Sequence, residues 1–150
     1  MRILASGAHV ITASDAEGKR FGMAATSITS LSMVPPSLLV CINKSSSILP
    51  PLQESRRFTV NMLTETQLDI LECFGASRLA EKRFASGSWA DCDGSAPYLT
   101  DSLAWVDCAL DDHWTYGTHR IIVGRALAAG PKIDGGRPMV YYDGAPVALC

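Results

Sequence analysis

Apolar and polar residues alternate with a period of two in segment after segment of this chain, and turn formers rather than long helical stretches separate the segments. His9–Ser14 and Phe21–Ala25 flank Asp15-Ala16-Glu17-Gly18-Lys19 and read as a hairpin. Ser37–Asn43 is a continuous apolar run after Pro35-Pro36, the pattern of a strand buried on both faces. Phe58, Val60 and Met62 share one face of the next strand. Ala104, Val106, Cys108 and Leu110 alternate along a long one, and Ile121, Val123 and Leu127 share a face of His119–Ala129. Met139–Tyr142 and Ala145–Leu149 flank Asp143-Gly144, the strongest short hairpin signal in the chain.

Helices are few. Thr64-Glu65-Thr66-Gln67 has capping-box spacing. Leu68, Leu71 and Phe74 then recur on one helical face, and Gly75 stops the helix. A second short helix is expected from Arg78 to Ala85, with Ser77 as N-cap and Gly87 as C-cap. The expected class is mainly β, and regular spacing of the later strands favours a closed or nearly closed barrel. Strands do not alternate with long helices, which argues against a doubly wound nucleotide fold. The 150 residues suit one domain spanning 1–150.

Composition excludes several functions. A net charge of −2 with no basic run argues against a nucleic-acid surface. No apolar stretch approaches the ~20 residues of a membrane span, and the N-terminus lacks a secretory pattern. Five cysteines (Cys41, Cys73, Cys92, Cys108 and Cys150), without C-x-x-C spacing, read as free thiols in a reducing cytoplasm. Cys41 and Cys108 lie in apolar runs and are expected in the core, while the terminal Cys150 carries no expected role. His9, His113 and His119 are too scattered for a metal set. The dinucleotide fingerprint, the phosphate loop, the nucleophile elbow and H-E-x-x-H are all absent from the sequence.

Chemistry concentrates in residues 22–47. Ala24, Ala25, Thr26, Ser27, Thr29 and Ser30 are small or hydroxylated, so a flat ligand could approach the backbone closely. Asn43-Lys44-Ser45-Ser46-Ser47 offers hydroxyls, an ammonium and free N–H groups, a plausible phosphate cradle. By composition alone, such runs are more often turns and caps. Pro50-Pro51 is expected to push Leu49 out of helical geometry, so a following helix should start late.

The order of these segments is more specific than any one of them. G-M-A-A-T-S-I-T-S-L-S-M-V-P-P-S-L-L-V-C-I-N-K-S-S resembles the flavin-binding core of the short-chain flavin reductases. The resemblance continues through F-T-V-N-M-L, A-E-K-R-F-A-S-G-S-W, L-A-W-V-D-C, G-T-H-R-I-I-V-G-R-A and P-M-V-Y-Y-D-G. It implies a split β-barrel that binds FMN or FAD. It also implies use of NADH or NADPH without a Rossmann domain, homodimers with the flavin near the subunit boundary, and reduced flavin supplied to a separate monooxygenase.

Carried over by position, Ala25, Thr26 and Ser27 would line the isoalloxazine edge, with Ser30 nearby. Cys41 and Asn43 would follow the ribityl chain, and Lys44, Ser45 and Ser47 would meet the phosphate. Arg83 and Phe84 would approach from the second helix, and Tyr142 would lie near the ring. His119 matches a histidine associated with nicotinamide binding. Two other readings use the same barrel: a flavin-binding protein without reductase activity, and an oxidase of the pyridoxamine-phosphate type. The chain departs from the family in having only Met1–Ser6 ahead of Gly7 and in carrying Pro50-Pro51.

Overall fold

The computed structural model describes residues 2–91, 94, 96–130, 136–147 and 149; Cys92 and Cys150 lie outside the described residues. The elements run β1 (Ser6–Gly7), β2 (His9–Ser14), β3 (Arg20–Ala25), β4 (Ile28–Met33), β5 (Pro36–Asn43), α1 (Leu49–Ser55), β6 (Arg57–Met62) and α2 (Leu68–Gly75). A 3-10 helix (Ser77–Lys82) follows, then β7 (Trp89–Asp91), β8 (Pro97–Leu99), β9 (Ala104–Tyr116), β10 (His119–Ala129), β11 (Val140–Tyr142) and β12 (Ala145–Val147).

Seven strands form the main sheet in the order β3-β2-β6-β9-β10-β5-β4. Its two outer strands, β3 and β4, are consecutive in the chain, joined only by Thr26 and Ser27. So short a link forces the sheet to curl until its edges meet. No ladder forms between them, and this gap makes the barrel split rather than closed. The Cys41 amide donates to the Ser27 carbonyl at 3.0 Å and pins the link to the sheet.

Strand β2 explains the chain's two cores. Ile11 points into the barrel with Val40, Ile42, Phe58, Val60 and Ile122, and α1 plugs that interior with Ile48, Leu49 and Leu52. Val10 points the other way, under α2, with Ile70, Leu71, Phe74, Leu99 and Met139. Burial on this scale supplies the main folding drive, at about 25 cal/mol per Å² of apolar surface. The outward polar side chains of β6 are covered too, and each finds partners. Asn61 Nδ2 donates to the Val10 carbonyl at 3.1 Å, and its Oδ1 accepts from the Leu99 amide at 2.7 Å.

Several sequence expectations are corrected. On β10 the buried face carries Ile122 and Gly124, while Ile121 and Val123 are half-exposed. A Cβ on Gly124 would lie 2.4 Å from Phe58 Cζ, so glycine makes room for the aromatic ring. On β5 only Leu38, Val40 and Ile42 are buried; Leu39 and Cys41 on the other face are half-exposed. The double proline does not delay α1. The helix opens at Leu49 with proline in its first turn, where the missing N–H costs nothing. Arg78–Ala85 is not an α-helix but the shorter 3-10 segment, and Ser77 makes no side-chain cap. The hydroxyl-rich Ile28–Met33 is a strand. Asp143 (φ 48°) and Gly144 (φ 85°) form the expected hairpin turn, both in the left-handed region.

Candidate functional site

The turn after β5 is built by its own side chains. Asn43 Oδ1 accepts from the Ser45 amide and the Ser45 hydroxyl, and the Ser46 amide donates to the Asn43 carbonyl at 3.0 Å. The Lys44 amide donates to the Thr118 carbonyl at 3.0 Å, and the Ser46 hydroxyl reaches Met23 Sδ at 3.4 Å. The turn is thus fixed between β3 and β10.

The end of α2 and the 3-10 helix face this turn. They sit close to β3 because Gly22 lacks a Cβ, which would lie 2.4 Å from Phe74 Cε1. Between the two walls lies a cleft of about 420 Å³, lined by Asn43, Ser45, Ser46, Ser47, Ser77 and Arg83 among others. A larger lobe of about 670 Å³ adjoins it at Ala24 and Gly75, lined by Ala25, Thr26, Leu68, Leu71, Leu79 and Tyr141 among others.

Arg83 dominates the electrostatics of the smaller lobe. Its Nη1 donates to the Gly22 carbonyl at 2.7 Å, while its buried Nε has no partner. None of the ion pairs found among the described residues includes it. Burial pushes its pKa below the usual arginine value, and the nearby Cys73 opposes that shift. A half-buried cation without a carboxylate, surrounded by serine hydroxyls, fits an anionic group such as a phosphate. The larger lobe beyond Ala24, where Leu68, Leu71, Leu79 and Tyr141 stand with Glu72 and Arg78, has room for a flat ring. The residues present therefore fit a flavin, with phosphate and ribityl chain toward the serines and ring toward Tyr141.

The structure brings together Ala25 and Thr26 in the larger lobe and Asn43, Ser45, Ser47 and Arg83 in the smaller. It places the other candidates elsewhere. Ser27 is exposed in the β3–β4 link. Ser30 lines a separate groove of about 330 Å³ with His9, Met33 and Met62. Cys41 is half-exposed on the outer sheet face, in register with Ile121. Lys44 is exposed and does not line the cleft. Phe84 packs edge-on against Phe74 and Trp89, with centroids 5.2 and 5.0 Å apart, rather than lining either lobe.

Tyr142 is exposed, and its neighbour Tyr141 lines the larger lobe instead. Period two on β11 puts Tyr141 on the same face as the buried Met139, a signal present in the sequence. Ser46, a member of the expected Asn43–Ser47 cradle, is also on the wall, and it is joined by Ser77, expected only as an N-cap. His119 opens β10, directly across from Asn43 on one side and Tyr116 on the other. Its Nδ1 lies 2.9 Å from the Thr118 hydroxyl. Among the described residues, no group of His, Cys, Asp and Glu could hold a metal ion.

A family model described as "Flavin reductase like domain" matches residues 1–149. The "Probable flavin reductase" of Rhizobium meliloti strain 1021 is 43% identical over 124 residues, which is 83% of this chain. The chain spans only 39% of that relative's length. FMN reductase (NADH) RutF 2 of Rhizobium rhizogenes is 34% identical over 143 residues, covering 95% of this chain and 82% of the relative. Among solved structures, a homologue of nitrilotriacetate monooxygenase component B from Mycobacterium thermoresistibile superposes with a TM-score of 0.90 at 29% identity. That superposition covers 98% of this chain and 81% of the other. A match that runs the length of the chain, on a split barrel whose cleft suits a ring with an anionic tail, places this chain in the flavin reductase-like family.

Proposed function

We propose that this chain is an NAD(P)H-dependent flavin reductase acting on FMN or FAD. The bound flavin supplies the redox chemistry by accepting hydride from the reduced nicotinamide. The observation that carries the reading is Arg83, a half-buried cation with no carboxylate partner among the described residues, in a cleft it shares with serines. Arg83, Ser45 and Ser47 would hold the flavin phosphate, and Asn43 holds Ser45 in place. Strand β3 is an outer strand, so part of its backbone is free to meet the polar edge of a ring at Ala25 and Thr26. Tyr141 and Leu71 wall that ring from water. His119 orients the dinucleotide and moves no proton, because hydride transfer needs no acid–base pair.

The finer assignments belong to the same proposal. The chain acts as one domain and as a homodimer; exposed Leu31, Met33 and Val34 beside the outer edge of β4 support burial against a second copy. It supplies reduced flavin to a separate monooxygenase, as the name of the component B homologue suggests. No helix among the described residues is long and apolar enough to cross a membrane. The free thiols of Cys41, Cys73 and Cys108 support a reducing cytoplasm.

The test is a flavin titration of the purified chain, followed by anaerobic mixing with NADH or NADPH. Binding of FMN or FAD and nicotinamide oxidation above the flavin-only rate are expected. Flavin binding without such oxidation would leave a binding protein, and no flavin binding would end the proposal.

A further inference from the structure

The β11–β12 hairpin stands apart from the main sheet. It belongs to the separate sheet β1-β11-β12, and β12 is exposed along its length. Its root is firm. The Met139 amide donates to the Leu63 carbonyl at 2.9 Å, and the Met139 carbonyl accepts from the Ala8 amide at 2.9 Å. Beyond the root, β1 pairs with β11 at Gly7–Val140 and Ser6–Tyr141. The tip, Asp143-Gly144, reaches about 13 Å past Met139 at the usual ~3.3 Å per residue. A two-stranded hairpin is marginal by itself, so the position of this tip depends on what holds it.

Arg2 holds it. The Arg2 carbonyl accepts from the Asp143 amide at 2.7 Å, its Nη2 donates to the Asp143 carbonyl at 3.2 Å, and its Nε lies 3.9 Å from Asp143 Oδ1. The guanidinium lies against Gly144, where a Cβ would stand 2.9 Å from Arg2 Cζ. Among the described residues, these hydrogen bonds and this ion pair are the ones that join Asp143 and Gly144 to chain outside the hairpin. Inside the hairpin, the Tyr141 hydroxyl donates to the Gly144 carbonyl at 2.8 Å, which braces the tyrosine to the tip. Tyr141, Gly144, Ala145 and Pro146 all line the larger lobe, so Arg2 fixes one of its walls without lining it.

Resting on the reductase reading above, we propose that Arg2 is a positioning residue. It clips the β11–β12 tip at Asp143, so that the hairpin stays beside the larger lobe and slows escape of the flavin ring. The side chains of the pair are 77% and 67% exposed, so the contact is weak and screened by salt. A contact of that strength sets how often the tip opens and leaves the barrel's stability alone.

The test has two readouts on the full chain. In the first, amide hydrogen exchange of ligand-free protein should be faster over residues 140–147 in Arg2→Ala and Asp143→Asn, with β9 and β10 unchanged. In the second, the dissociation rate of riboflavin is followed by stopped-flow fluorescence. Riboflavin is uncharged, so salt does not act on the ligand itself. Both variants should release it about three- to fivefold faster, the range of an exposed ion pair, with the association rate unchanged. Raising salt from about 0.05 to about 0.5 M should bring the wild-type rate up to that of the variants and leave theirs unaltered. Arg2→Lys, which keeps the charge, should stay close to wild type.

Unchanged exchange over residues 140–147 would overturn the proposal, because the tip would not depend on Arg2. Faster exchange there with unchanged riboflavin release would also overturn it, because the hairpin would not bound the ring. Faster exchange throughout β9 and β10 would make Arg2 a general stabiliser and overturn it as well. These outcomes leave the reductase reading standing. Absent flavin binding in the wild type sinks that reading and the role in ring retention with it, while the exchange data still decide whether Arg2 holds the tip.

Discussion

Asn43 Oδ1 accepts two hydrogen bonds from one residue, the amide and the hydroxyl of Ser45, each at 2.9 Å. The carboxamide is spent on the turn, so its value to a ligand lies in where it holds Ser45. Asn43→Ala removes both bonds, each worth about 1 kcal/mol. FMN affinity is expected to fall about tenfold, with riboflavin, which lacks the phosphate, changed less than twofold. Fluorescence titration of the two flavins checks this; equal losses would show that the turn does not serve a phosphate.

Arg83 and Lys44 separate by the same comparison. Charge-assisted bonds are worth about 1.5–3 kcal/mol, so Arg83→Met should cost roughly 10- to 100-fold in FMN affinity and flatten its salt dependence. Lys44 stands outside the cleft lining, and Lys44→Met should change FMN affinity less than about threefold. The reverse ranking would return the phosphate to Lys44.

Gly22 sets the approach of α2 to β3. In Gly22→Ala the new methyl would meet Phe74 Cε1 at 2.4 Å. Overpacking of this kind costs about 1–3 kcal/mol, seen as a lower urea midpoint. Phe74→Leu in the same chain should recover part of the loss. A double variant no more stable than the additive sum would show that the two sites do not meet.

These cases also show what the sequence could reveal. Period-two patterning located most strands of the main sheet, because a side chain's face follows from its parity. It did not tell which face of β10 turns inward, since the inward positions there include Gly124, whose role is to leave space for Phe58. It passed over Ile28–Met33, whose serines and threonine read as a ligand loop although they form an outer strand with solvent on one side. The Ser45–Ser47 wall was legible as a hydroxyl cluster next to a strand end. The opposite wall was not, because Ser77 and Arg83 reach the cleft only through the placing of α2 against Gly22. Lys44 and Tyr142 look like site residues by type, but backbone geometry turns them away from the cleft.

Cys108 tests the core. Burial, with Asp107 adding to it and Arg57 opposing, pushes its thiol up to about 12. At pH 8 it stays protonated and shielded, so iodoacetamide should leave it unmodified in the folded protein. Peptide mapping by mass spectrometry should find Cys108 labelled only after urea unfolding, whereas the half-exposed Cys73 should label natively. Native labelling of Cys108 would mean that the barrel opens.

His9 gives the fold a pH dependence with a definite sign. Burial lowers its pKa below 6.5, outweighing the opposing pull of the Ala25 and Gly7 backbone carbonyls, which accept from the ring and favour its protonated form. The unfolded chain therefore binds a proton near pH 6.5 that the folded chain still refuses. Between the lowered folded pKa and 6.5 the unfolded state holds more protons, so stability rises with pH across that window. Lowering the pH below about 6.5 should reduce the Tm until the folded pKa is passed. His9→Gln removes the titrating group, and its Tm should vary less than wild type between pH 7.5 and 5.5. Parallel Tm profiles for the two proteins would show that His9 stays hydrated enough to protonate in the fold.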